Sequence, residues 1–347
     1  MLRLVAQPIS SLADLQKALQ NAVRLEHSTI PPYLTALATL SGDSPSVRYA
    51  RQVIRDVVIE EMLHMTLACN LLNAIGGHPE IAVAGFVPTY PHELPMGVAG
   101  DLVVHLKRYS KALIEQTFMK IEEPEIPLDI PVKPAASAMA ASPTITIGQF
   151  YAAIRTQIVQ NGSRIFTGDP SLQVTGFFLG PGENIAVTDI DSALLAIETI
   201  VEQGEGTPKS PMDLQKHIAH FYRFQQFSKG MRIVEDASSH IKVSFDPVQP
   251  LTIDDAADVI QMVDDPPLVT YDKVDWRAEQ LSVECDASYS KILRALHRGF
   301  NGKPEKVNDA VGAMFEFKTV LGELLQQKLN AGPHVGLFAG PRYKFAP

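Results

Sequence analysis

Apolar residues recur at a three/four spacing over residues 12–40, through Leu12, Leu15, Leu19, Ala22, Thr29, Tyr33, Leu37 and Leu40. That spacing predicts one long amphipathic helix. Glu26 is the only charge on its apolar seam. Pro31-Pro32 interrupts the pattern and predicts a kink one to two turns after Glu26, because a proline in a helix interior removes a backbone hydrogen bond. Ser44 as N-cap and Pro45 at the first helical position open a second helix. Its seam runs Val47, Ala50, Ile54, Val57, Glu61, His64, Ala68, Leu71 and Ile75, and Gly76-Gly77 with Pro79 ends it. Two helices joined by so short a loop form an antiparallel hairpin.

The pattern then breaks. Nine prolines fall from Pro79 to Pro143, and only Ser110–Glu122 reads as helical within this stretch. Asp101–Leu106 reads as a short strand. An excursion of this length is uncommon unless functional, and it is expected to cover one side or end of a bundle as a lid or substrate wall. Helical periodicity returns over Ile147–Gln160, followed by a connection rich in glycine (Gly162, Gly168, Gly176, Gly180, Gly182). Asp191–Gln203 and Pro211–Lys229 read as further helices, then a short one near Ile253–Val263 and two longer ones over Val274–Gly299 and Val307–Ala331. The pattern leaves open whether Ile147–Gln160 or Asp191–Gln203 is the third bundle helix.

Composition narrows the function classes. A net charge of -9 with no dense Lys/Arg run argues against nucleic acid as a partner. No segment offers the roughly 20 consecutive apolar residues that span a bilayer, so no membrane role is expected. Residues 1–8 hold no apolar run of signal-peptide length. Two cysteines, Cys69 and Cys285, make no disulfide framework, which suits a reducing cytoplasm. An acidic bundle of this kind also suits a homodimer.

The chemistry lies on the apolar seams. An ionisable group buried there must be paired, hydrogen-bonded or bound to a metal. Glu61 and His64, three residues apart, share one helix face. Of the tandem Glu60-Glu61, the seam selects Glu61 and leaves Glu60 to the surface or to a supporting contact. His217 and His220 repeat the three-residue spacing, and Glu198, Glu202 and Glu205 offer further carboxylates. The seam of Asp191–Gln203 does not choose between Glu198 and Glu202. Collected, Glu26, Glu61, His64, Glu202, His220 and either Glu205 or His217 form a mixed oxygen and nitrogen set suited to iron or manganese. Tyr33 lies seven residues after Glu26 on the same seam, and Tyr222 follows His220. Each is either a core-packing residue or a hydrogen-bond donor and redox participant at the site.

The segments Arg24–Leu34, Val58–Met65 and Asn70–Gly77, with Glu202–Gly206, His220–Phe224 and Phe300–Gly302, resemble the ferritin-like domain of the iminophenyl-pyruvate dimer synthase family. That family includes enzymes that couple two oxidised tryptophan-derived imines in violacein and rebeccamycin biosynthesis. The resemblance implies an all-α, ferritin-like four-helix bundle at residues 1–240, with a Pro-rich insertion of about 79–146 and a helical extension at 241–347 packed on the bundle. It also implies a non-haem centre of one or two iron ions, with Glu26, Glu61, His64, Glu202 and His220 as ligands. A symmetric di-metal bundle carries glutamate three residues before its second histidine; this chain has His217 there. The function implied is a cytoplasmic non-haem iron oxidoreductase of secondary metabolism. It would act with O₂ or a peroxide on a small organic substrate such as an amino-acid-derived imine. The alternative is a ferritin-like metal-binding protein without turnover.

Overall fold

The computed structural model describes residues 9–132, 145–175, 184–213 and 215–346. Helix α1 spans Leu12–Thr39, capped by the Ser11 side chain, which accepts from the Asp14 N–H. Helix α2 spans Pro45–Ala74, and Ser44 caps it by accepting from the Val47 N–H. The two pack along their lengths as the predicted antiparallel hairpin.

Both prolines lie inside α1, which continues past them to Thr39. The interruption shows in the hydrogen bonding. Pro32 cannot donate to the Ser28 carbonyl, and the buried Tyr90 hydroxyl donates to it instead, at 2.8 Å. The Pro-rich segment is therefore tied into the hairpin at the position where α1 needs an outside donor.

In that segment, strand β1 (His92–Glu93) pairs antiparallel with β2 (Val103–Val104), within the predicted 101–106 strand. Helix α3 covers residues 111–121, beginning as Lys111–Leu113, passing through a π turn at Ile114–Phe118 and finishing as Met119–Ile121. Helix α4 (Ile147–Asn161) starts with a capping box between Thr146 and Gln149. Helix α5 (Ile190–Glu205) starts with another between Asp189 and Ser192. Helix α6 (His220–Lys229) stops at Gly230, which takes the left-handed conformation. The α1–α2 hairpin is closed by α4 and α5, packed on each other, and by α3 with α6. Residues 133–144 of the Pro-rich excursion, and Gly176, Gly180 and Gly182 of the glycine-rich connection, lie outside the described residues.

Four expectations change. The helix read at Pro211–Lys229 begins only at His220, because residues 211–219 fold back on themselves: Ala219 donates to the Pro211 carbonyl and Met212 bridges Ile218. The Ile253–Val263 segment is not helical; its backbone pairs elsewhere. Ile260 donates to the Thr39 carbonyl left open at the end of α1, and Val263 donates to Phe338. The 241–347 region also opens with a strand: β3 (Met231–Glu235) pairs antiparallel with β4 (Val243–Pro250). Helices α7 (Trp276–Gly299) and α8 (Val307–Leu324) then form a second hairpin, with α8 shorter than predicted. Among the described residues the larger hydrophobic core runs from Leu15 of α1 to Tyr343 near the C-terminus, and a smaller cluster joins Phe221 and Tyr222 of α6 to Val243 and Phe245 of β4. Both cysteines are buried and unpaired. No helix among the described residues is long and apolar enough to cross a membrane.

Replacing Tyr90 by Phe removes the donor to Ser28 and leaves a buried carbonyl unsatisfied. A loss of about 1–3 kcal/mol in urea denaturation is expected; an unchanged midpoint would show that the bond does not matter to α1.

Candidate metal centre

The apolar faces of α1 and α2 bring Glu26, Glu61 and His64 together in the interior, each no more than 2 % exposed. One ligand atom from each lies within 4.8 Å of the others. A second triad shares Glu61 and adds Glu122 and His220, with the same spacing and the same burial. Glu61 thus stands between two potential cation positions, one flanked by Glu26 and His64, the other by Glu122 and His220.

Both imidazoles turn Nδ1 inward. For His64 it lies 3.6 Å from Glu26 and 3.7 Å from Glu61. For His220 it lies 3.0 Å from Glu61 and 3.6 Å from Glu122, yet makes no aligned hydrogen bond with either. The opposite nitrogens are anchored: His64 Nε2 to Gln203 Oε1 at 2.8 Å, and His220 Nε2 to Glu60 Oε2 at 2.7 Å. With Nε2 donating outward, each Nδ1 lone pair is free to face a cation.

The carboxylates are anchored the same way. The Tyr151 hydroxyl of α4 donates to Glu26 at 2.7 Å, and the Tyr33 hydroxyl donates to Glu122 at 2.5 Å. The Thr29 hydroxyl lies 2.8 Å from Glu61 Oε2. Arg223 pairs with Glu60 at 2.9 Å, outside both triads. Among the described residues no Lys or Arg forms an ion pair with Glu26, Glu61 or Glu122. Three buried carboxylates without a lysine or arginine partner, together with two imidazoles that offer a lone pair when neutral, suit divalent metal ions of the oxygen- and nitrogen-loving kind. The residues of both triads therefore fit a bound metal ion.

The electrostatics carry the same strain. Burial, then the neighbouring Glu122, pushes the Glu61 carboxyl up to about 7. Burial pulls against charge on both histidines, but Glu26 and Glu61 hold His64 above its usual value, and Glu122 with Glu60 and Glu61 holds His220 well above. Glu60 goes the other way. Its burial is outweighed by His220 and Arg223, which bring it down to about 2.

The remaining candidates sit elsewhere. His217 lies in the tight turn before α6, with its N–H donating to Asp213, its side chain 56 % exposed and Lys216 beside it at positive φ. The spacing His217-x-x-His220 places two residues on one face only within a helix, and here the helix starts at His220. Glu202 is half-buried and belongs to neither triad. The next residue, Gln203, is the one that turns to His64. Glu205 lines a small cavity beside the centre, where it accepts from the Gly148 N–H at 2.6 Å, and burial pushes its carboxyl up to about 7. Glu198 is in neither triad. Tyr222 accepts from the Leu128 N–H at 2.9 Å and makes no bond to either triad.

Sequence reasoning missed Glu122, Tyr151 and Gln203. Glu122 is the last residue of the one helix that periodicity predicts in the Pro-rich segment, a segment whose sequence points to a cover for the bundle and not to a ligand. A π turn just before it, a feature common near functional sites, was not foreseeable from periodicity. Gly204 matters for a related reason: a Cβ there would lie 3.3 Å from Glu122 Oε2, so glycine lets α5 pass close to the centre.

A profile of the ferritin-like family matches residues 19–229, which contain every member of both triads. Dichlorochromopyrrolate synthase of Lentzea aerocolonigenes is 25 % identical over 97 % of this chain, which spans 36 % of that enzyme's length. A crystal structure of a ferritin-like protein from Caulobacter vibrioides superposes with a TM-score of 0.59 at 20 % identity, covering 97 % of this chain and 99 % of the other. The likeness in sequence and the shared helical fold agree with the resemblance read from the segments between Arg24 and Gly302.

Two measurements test this geometry. Metal bound per chain, by mass spectrometry of elements, is expected to fall at least twofold in Glu122→Gln and to stay unchanged in His217→Ala and Glu202→Gln; the reverse order would overturn the assignment of Glu122. The second is the pH dependence of the metal-free fold. Glu61 and Glu205 keep their protons to about pH 7 when folded but release them near 4.5 when unfolded, so stability falls as pH rises between those values. The raised His64 and His220 act in the same direction, stabilising below about 6.5 and losing that contribution as pH rises through their folded values. Glu60 opposes them, stabilising above about 4.5 and losing its contribution as pH falls toward 2. The metal-free chain should melt highest near pH 5 and lower at pH 8. Divalent metal should restore more melting temperature at pH 8 than at pH 5, since binding displaces protons. A metal-free melting temperature that rises from pH 5 to pH 8 would contradict this account.

Proposed function

Because the chain belongs to the ferritin-like family, we propose that it is a non-haem iron oxidoreductase acting on a small organic substrate. The observation that carries this reading is the pair of buried Glu/His triads sharing Glu61. Glu26 with His64 would hold one ion, Glu122 with His220 the second, and Glu61 would contact both. Iron held there supplies one-electron redox chemistry and a place for O₂ or a peroxide to bind.

The chain's own residues set the conditions. Tyr151 and Tyr33 fix the orientation of the two outer carboxylates, while Gln203 and Glu60 fix the two imidazoles. Ile147, Ile200 and Val201 wall the adjoining cavity, which has a volume of about 10 Å³. A space of that size takes a water-sized molecule, so it suits a small oxidant and leaves a larger substrate to approach from its rim. Glu205, which lines that cavity, would hold or pass a proton. The similarity to dichlorochromopyrrolate synthase supports an amino-acid-derived imine as the substrate class. On this reading, residues 1–240 form the metal-bearing unit and 241–347 its extension.

The small cavity also favours a second reading, a ferritin-like metal-binding protein without turnover. The two are separated by loading the chain anaerobically with Fe(II), then adding O₂ or hydrogen peroxide together with an aromatic 2-imino acid generated in the assay. Many substrate-derived product molecules per chain, lost in Glu61→Gln, are expected. Oxidation limited to about one event per iron, with the imino acid unchanged, would replace the first reading by the second.

A further inference from the structure

A second cavity lies on the other side of the α1–α2 hairpin from the metal centre. It has a volume of about 710 Å³ and opens between that hairpin and the α7–α8 hairpin. Met62, Met65 and Thr66 of α2 line it, interleaved with Glu61 and His64, which turn away into the triads. Its depths are aliphatic and aromatic, with Val58, Leu293 and Phe300 each no more than 3 % exposed.

The polar residues around this cavity are one-sided. Arg51, Arg55 and Lys318 line it, and no Asp or Glu does, although the chain has 39 acidic residues against 30 basic ones. Lys318 has no ion pair among the described residues, and Arg55 meets only the exposed Asp56, at 3.4 Å. Beside these cations, Ile59 and Phe315 are 40 % and 66 % exposed, so the mouth is both apolar and positive. Asn184 also lines the cavity; it is buried, and neither of its side-chain polar atoms has a hydrogen-bond partner among the described residues. A buried amide without a partner costs stability unless something else satisfies it.

We propose that this cavity binds an acyl-chain carboxylate, with its headgroup at Arg55 and Lys318, its chain among the methionines and aliphatic residues, and an oxygen function near Asn184. The charge pattern favours an anion, the apolar walls exclude a hydrophilic one, and methionine-rich walls adapt to a flexible chain. The site shares no residue with the triads, so this inference does not depend on the metal reading.

The test compares two molecules that differ only in the headgroup, 12-hydroxydodecanoate and 1,12-dodecanediol, by calorimetric titration of the full chain below their aggregation limits. The acid should bind one per chain and at least tenfold more tightly than the diol. The double variant Arg55→Glu/Lys318→Glu, altered only at exposed positions, should lose at least tenfold in affinity for the acid and keep its melting temperature. Ala38→Trp, which fills the cavity, should abolish binding. The proposal is overturned if the acid does not bind, if the diol binds equally well, or if charge reversal leaves the affinity unchanged. It is also overturned if 3-indolepropionate binds more tightly than the acyl acid, or if the chain dimerises through this face and Phe315→Ser dissolves the dimer.

Discussion

Three carboxylates, Glu26, Glu61 and Glu122, meet in the interior of the helical bundle with no lysine or arginine paired to them among the described residues. Burying one ionised carboxylate is costly, and burying three together is more so. The local structure answers this cost piece by piece. Two tyrosines and a threonine donate to the carboxylates, two histidines turn a nitrogen toward them, and a glycine on α5 lets a helix pass without crowding them. No lysine or arginine supplies fixed positive charge there, and two titratable imidazoles against three carboxylates leave the shortage that is the strongest physical argument for metal.

The arrangement is nearly symmetric about Glu61, and the departure from symmetry is informative. Each half has an outer glutamate held by a tyrosine and a histidine held at Nε2. The partner at Nε2 differs: a neutral amide, Gln203, on one side, and the Glu60–Arg223 pair on the other. A carboxylate behind an imidazole makes it a stronger donor. On the proposed reading, the Glu122–His220 position therefore holds its ion more firmly than the Glu26–His64 position. His217, where the sequence departs from the symmetric pattern, lies outside both triads, and the two halves differ instead in the partners at residues 60 and 203.

Much of the centre was legible because helices make spacing meaningful. The seams of α1 and α2 are long and regular, so Glu26, Glu61 and His64 could be placed on one buried surface, and Glu61 could be chosen over Glu60. The same logic failed where the helix was missing. His217 and His220 carry the right spacing, but the chain turns tightly at 211–219 and the pattern has no face to define. It failed by one residue on α5, where a step of about 100° separates Glu202 from Gln203 and the apolar seam is too broad to choose. It failed at Glu122 because a π turn shifts the phase of α3 and because the proline-rich setting suggested a cover for the bundle. The hydroxyl of Tyr90, which satisfies the carbonyl freed by Pro32, shows that this segment is built into the bundle's framework.

The central claim is that Glu61 lies between two metal positions. Diffraction from iron-loaded crystals, measured on either side of the iron absorption edge, tests it directly. The account predicts two anomalous peaks roughly 3.5–4 Å apart, one against Glu26 and His64, the other against Glu122 and His220, with Glu61 touching both. A single peak that leaves one triad empty, or a peak at His217 or Glu202, would contradict it.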